Sequence, residues 1–154
     1  LAGDMRLIAD GEDVAAALTS MTGSNAAVAR ILAPIATAMT DVTGFGLAGH
    51  LSEILTRSGT GAELTLDALP LLPGAVALTE AGVRSTLYPA NRTAVPAFDP
   101  GEDPRAILLF DPQTAGGLMA CVPDGDAVLP TLRQAGIDAR RIGTITDRAG
   151  LRIR

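Results

Sequence analysis

The sequence holds 154 residues at 15.7 kDa, the length of one domain with room for a buried core. A formal net charge of −5, a pI of about 4.7 and 3% aromatic residues argue against a nucleic-acid partner, which needs a basic patch or stacking platforms. All twelve basic residues are arginine, which excludes a Walker A lysine or a lysine nucleophile within the chain; the single Cys121 and single His50 exclude an intrachain disulfide and multi-Cys or multi-His metal sites.

With so few aromatics, the core is expected to be built from Ala, Leu, Val and Ile. No apolar run approaches the roughly 18 residues needed to span a bilayer, and no signal peptide is visible, so a cytoplasmic protein without a membrane partner is expected. The chain opens on Leu1 rather than Met, which fits a fragment or a trimmed product.

Val14, Ala17, Leu18 and Met21 recur at helical spacing after Asp10-Gly11-Glu12-Asp13, whose acidic residues suit a helix start. Ser24 is placed to cap a second helix carrying Ala27, Val28, Ile31 and Leu32, which Pro34 ends. Residues 35–42 form a short apolar stretch that fits a buried strand, and Thr43-Gly44-Phe45-Gly46 a turn. Leu47, Leu51, Ile54 and Leu55 then mark one face of a helix ending near Ser58-Gly59. A strand is predicted at 62–66 and a helix from Pro73-Gly74 to Glu80. Residues 82–104, rich in Pro and turn formers, predict a long functional or mobile loop. After the apolar residues 107–110 comes a second glycine turn, Asp111 to Gly117. A strand is predicted at 118–122 and a helix at 124–134 with Val128, Leu129 and Leu132 inward. A terminal hairpin is predicted around Arg148-Ala149-Gly150. The whole reads as an α+β domain of mixed α/β layers.

The two glycine turns carry the chemistry that remains. In the first, Gly44 and Gly46 permit close backbone approach and positive φ, and the following helix would turn its free N–H groups toward a phosphate. Thr43 adds a hydroxyl, and Asp41 a hard oxygen ligand of the kind Mg²⁺ takes. The same residues also serve simply to cap a helix. In the second turn, Gln113 and Thr114 either contact a ligand or close the turn. His50, on the apolar edge of its helix, reads as a packing residue, and Cys121 as an inert thiol in an apolar strand. Arg84 and Arg92 flank the long loop, where they either hold phosphate or face solvent.

Residues 40–51 (Thr-Asp-Val-Thr-Gly-Phe-Gly-Leu-Ala-Gly-His-Leu) and 111–118 (Asp-Pro-Gln-Thr-Ala-Gly-Gly-Leu) resemble the two signature stretches of selenophosphate synthetase (selenide, water dikinase). Leu71-Leu72-Pro73-Gly74 and the segment around Asn91 are also similar to that family. The wider superfamily includes aminoimidazole ribonucleotide synthetase, formylglycinamidine ribonucleotide synthetase, thiamine-monophosphate kinase and a hydrogenase maturation factor, whose first glycine turns differ. The resemblance covers nearly the whole chain but only the C-terminal domain of the enzyme. It implies a single domain over residues 1–154 with a mixed sheet covered by helices. It also implies a homodimeric full-length enzyme that turns selenide, ATP and water into selenophosphate, AMP and phosphate. ATP and Mg²⁺ would sit mainly on an N-terminal domain, which also supplies the reactive Cys or selenocysteine and a Lys; no catalytic residue is expected in this chain. Asp41 is implied as a metal ligand, with Thr43, Gly44, Gly46, Asn91 and Thr114 on the phosphate side. The resemblance assigns no role to His50, Asp111 or Cys121. A different ATP-dependent superfamily enzyme of purine or thiamine chemistry, or a non-catalytic binding module, is the alternative.

Overall fold

Short elements, none of the strands longer than four residues, carry the chain through residues 1–154 of the computed structural model. In order they are α1 (Ala2–Met5), α2 (Gly11–Met21), α3 (Ala26–Leu32), β1 (Ala38–Asp41), α4 (Gly46–Ser58), β2 (Gly61–Leu64), α5 (Ala75–Glu80), α6 (Tyr88–Ala94), α7 (Pro104–Leu108), β3 (Leu118–Cys121), α8 (Gly125–Gln134), β4 (Gly143–Thr146) and β5 (Gly150–Ile153). A 3₁₀ turn at Leu66–Ala68 follows β2. Local chemistry sets most boundaries. Asp10 caps α2 by accepting from the Glu12 N–H, and Asp124 caps α8 by accepting from the Ala127 N–H. Gly59 ends α4 in the left-handed region at φ 67°.

Two sheets form rather than one. β1 pairs antiparallel with β3, Ala38 opposite Cys121 and Asp41 opposite Leu118. The second sheet is mixed, in the order β4-β2-β5, with β2 antiparallel to β4 and parallel to β5. The predicted terminal hairpin is therefore not formed: the two last strands are adjacent in sequence, but β2 lies between them. Gly61 on β2 makes this possible, because a Cβ there would collide with the Arg148 carbonyl in the connection between β4 and β5.

The predicted 82–104 loop is likewise not open. It contains α6, with Pro89 in its first turn, a position that lacks an intrahelical partner for its N–H and so tolerates proline. Val83, Asn91, Val95 and Phe98 from this segment are buried. The core is mostly Leu, Val and Ala as expected, but two phenylalanines sit at its centre. Phe110 is fully buried, Phe98 stacks on it with ring centroids 5.8 Å apart, and Tyr88 meets it edge-on at 6.1 Å. Leu51, Leu55, Leu64, Leu109 and Met119 belong to the same cluster, while no isoleucine is fully buried. Rings bury large areas with few torsions to freeze, so a chain with three phenylalanines gains most by placing two of them at the centre. No helix is long and apolar enough to cross a membrane.

Candidate functional site

The β1–β3 register decides the site. Asp41 ends β1 and Leu118 begins β3; because they face each other, the turn after Asp41 and the turn before Leu118 lie side by side. Four sets of hydrogen bonds join them. The Val42 N–H donates to the Gly117 carbonyl at 3.0 Å, and the Gln113 N–H to the Thr43 carbonyl at 3.0 Å. The Ala48 N–H, in the first turn of α4, donates to the Leu109 carbonyl at 2.8 Å. Asn91, one of two buried polar side chains, donates from Nδ2 to the carbonyls of Gly44 (2.8 Å) and Phe110 (3.0 Å). The two glycine turns are thus one unit, closed from below by α6.

This accounts for several of the glycines. Gly46 has φ +68°, and a Cβ there would lie 2.7 Å from the Leu109 carbonyl oxygen and 2.8 Å from the Phe110 carbonyl carbon. Gly116 backs onto the Val42 carbonyl, where a Cβ would overlap it. At both positions the close backbone approach is to the protein's own chain. Gly44 differs, with open space where its Cβ would stand.

Thr43, one of the residues predicted for ligand contact, faces His50. His50 Nε2 lies 3.1 Å from the Thr43 N–H, which donates to it, and 3.0 Å from Thr43 Oγ1. The His50 ring also meets Phe45 edge-on at 5.7 Å. It packs back onto its own helix start, in keeping with the packing reading. Asn91 commits its amide nitrogen between the two turns. Asp41 and Thr114 are exposed. The backbone N–H groups of Gly44, Phe45 and Leu47 have no partner within the chain, so the start of α4 retains donors and the positive end of the helix dipole beside Asp41. Arg84 and Arg92 are held elsewhere: Arg84 donates to the Thr79 and Val83 carbonyls at 2.7 Å and lies over the Tyr88 ring, and Arg92 lies over the Phe110 ring.

Asp41 Oδ1 accepts from Asn25 Nδ2 at 3.0 Å, and Oδ2 has no partner. No group of three or more His, Cys, Asp or Glu side chains in the chain is placed to hold a metal ion. One exposed carboxylate suits a single position in a Mg²⁺ shell, and the remaining ligands would have to come from phosphate, water or another domain. In the second turn, burial pushes the Asp111 carboxyl up, opposed by the positive charge of Arg84. Burial pushes the half-buried Cys121 thiol up as well, which keeps it a poor nucleophile. Two cavities of about 310 and 330 Å³ flank α4; of the residues in the two turns, only Phe45 lines one of them. Asp41, Gly44 and Thr114 line neither of these cavities.

Residues 4–154 match the family described as "AIR synthase related protein, C-terminal domain". The chain belongs to that family. Within it, the chain is similar to proteins named "Selenide, water dikinase". It is 39% identical over 141 residues to that of Myxococcus xanthus, covering 84% of this chain and 39% of the relative. It is 40% identical over 117 residues to that of Escherichia coli O157:H7, covering 73% of this chain and 33% of the relative. The AIR synthase C-terminal domain described here therefore spans a third to two-fifths of the length of these relatives. Among solved structures, the hydrogenase maturation protein HypE of E. coli aligns with a TM-score of 0.54 at 25% identity, over 80% of this chain and 33% of that one. Thiamine-monophosphate kinase of Stenotrophomonas maltophilia K279a aligns at 0.51 and 24% identity, over 79% of this chain and 32% of that one, a likeness of fold alone.

Proposed function

We propose that this chain is the C-terminal domain of a selenide, water dikinase, and that it completes a Mg-ATP site carried mainly by an N-terminal domain of the same protein. The observation that carries the reading is the 39% identity over 141 residues to a protein of that name. The site geometry supports it. Asp41 offers a free carboxylate oxygen, and the N–H groups of Gly44, Phe45 and Leu47 are unpaired donors. Thr114 stands exposed on the adjoining turn. Such an edge suits one wall of a polyphosphate site whose other wall is a second domain.

In this reading Asp41 holds one position of a Mg²⁺ ion, which when bound neutralises phosphate charge. The Gly44–Leu47 backbone orients phosphate oxygens, and Thr43, Gly46 and Asn91 fix the shape of that backbone. The reactive Cys or selenocysteine and the Lys belong to the N-terminal domain. Selenide as the acceptor, AMP and phosphate as co-products, a homodimer and a cytoplasmic location belong to the same proposal.

The test is ATP consumption by the full-length protein, with and without selenide. Selenide-dependent formation of AMP is expected, and Asp41→Ala is expected to lower it about a hundredfold or more, in line with losing one electrostatic stabiliser of a transition state. Turnover that survives Asp41→Ala overturns the metal role. Turnover with thiamine monophosphate or a purine precursor in place of selenide overturns the substrate assignment.

A further inference from the structure

We propose that Asn25 is the positioning residue for Asp41, holding its carboxylate in the one orientation that leaves Oδ2 free; this rests on the reading of Asp41 given above. Asn25 stands at the N-cap of α3, a position where its side chain ordinarily accepts from its own helix. Here it makes no such bond. Ser24 Oγ accepts from the Ala26 N–H at 3.2 Å, and the Asn25 side chain turns away from its own helix. Asn25 Nδ2 then donates to Asp41 Oδ1, sixteen residues away, and to the Gly116 carbonyl, ninety-one residues away, both at 3.0 Å.

One amide therefore ties α3, the end of β1 and the second glycine turn to a single point. Both Nδ2 hydrogens are used, so the amide cannot rotate without losing a bond, and the Asp41 carboxylate inherits that rigidity. An exposed aspartate at a strand end would otherwise sample several rotamers. Partners that fix a ligating carboxylate in this way typically change metal affinity about 10- to 100-fold when removed. The donor is neutral, so it orients the carboxylate without cancelling its charge.

The experiment measures Mn²⁺ binding, from the electron paramagnetic resonance signal of the free ion. It uses the full-length protein with a non-hydrolysable ATP analogue, comparing Asn25→Ala, Asn25→Ser, Asp41→Ala and the Asn25→Ala/Asp41→Ala double variant. Asn25→Ser retains a good cap residue too short to reach Asp41, so it decides the matter if Asn25→Ala fails to fold. The expected result is about tenfold weaker Mn²⁺ binding in each Asn25 variant, with the double variant no weaker than Asp41→Ala alone. In turnover, excess Mg²⁺ should restore kcat to the Asn25 variants, which damage to the fold would not allow. Normal Mn²⁺ binding in the folded Asn25 variants, with Asp41→Ala weakened, overturns the positioning role and leaves the Asp41 reading intact. Normal binding in Asp41→Ala overturns both.

Discussion

Asn91 reaches across 47 residues of sequence to place its amide nitrogen 2.8 Å from the carbonyl of Gly44, and the same nitrogen serves Phe110 from the other glycine turn. The side chain is 5% exposed, so neither carbonyl can readily substitute water for it. Asn91→Ala leaves two carbonyls without a donor and is expected to cost about 3 kcal/mol. Urea unfolding monitored by circular dichroism checks this. A loss below about 0.5 kcal/mol, the level of an ordinary surface change, would show that the clamp is dispensable.

Gly46 and Gly44 look alike in sequence and differ in space. Gly46→Ala meets positive φ and the Leu109–Phe110 backbone together, and is expected to cost more than about 2 kcal/mol. Gly44→Ala meets open space and is expected to stay within about 0.5 kcal/mol of the parent. If the Gly44 turn lies against phosphate, the added methyl lowers turnover of the full-length protein while thermal melts remain unchanged. Paired melts and assays on the two variants separate the roles; equal melting temperatures would overturn the structural assignment of Gly46.

The sequence made the main helices, β1, β3 and both glycine turns legible, because caps, breakers and a helical period all act locally. Asp10, Gly59 and Asp124 stand where such signals place them. Strand order was not legible, since nothing local in residues 141–154 says that β2 will enter between the last two strands. α6 was hidden by its own proline, which marks a helix start as readily as a break. At the site, spacing singled out Asp41, Thr43 and the glycines but could not tell which would face solvent. Asn25 stands beside the Ser24 cap signal and carries no local sign of its distant partners; only the fold shows its amide directed at Asp41 and Gly116.

Asp103 both caps α7, accepting from the Arg105 N–H at 2.8 Å, and pairs with the Arg105 side chain through Nε at 3.0 Å and Nη2 at 2.6 Å. The hydrogen bond from the Arg105 side chain is the main cause that holds its carboxyl below the ordinary value of 3.8. A lowered folded-state value means that this stability is present above the unfolded-state value and is lost as pH falls through the folded-state one. Asp103→Asn keeps a cap-forming residue and removes the charge. Its urea midpoint should fall below the parent's at pH 7 and converge with it in strong acid. A gap that stays constant with pH would show that the ion pair does not contribute.

Asp111 has the opposite sign. Burial raises its carboxyl above the usual value of 3.8 despite the nearby Arg84, and no hydrogen bond offsets the burial. Stability linked to a raised folded-state value is complete below the unfolded-state value and is lost as pH rises through the folded-state one. At neutral pH the ionised Asp111 therefore works against folding, and Asp111→Asn should stabilise the chain there. The advantage should shrink as pH falls and vanish below about 3.8, where both side chains are neutral. Urea midpoints across pH 3 to 8 measure it. An Asn variant less stable than the parent at pH 7 would mean that the ionised carboxylate has a favourable partner. If the stabilised variant also loses turnover in the full-length protein, the charge at the head of the second turn serves the site at the expense of the fold.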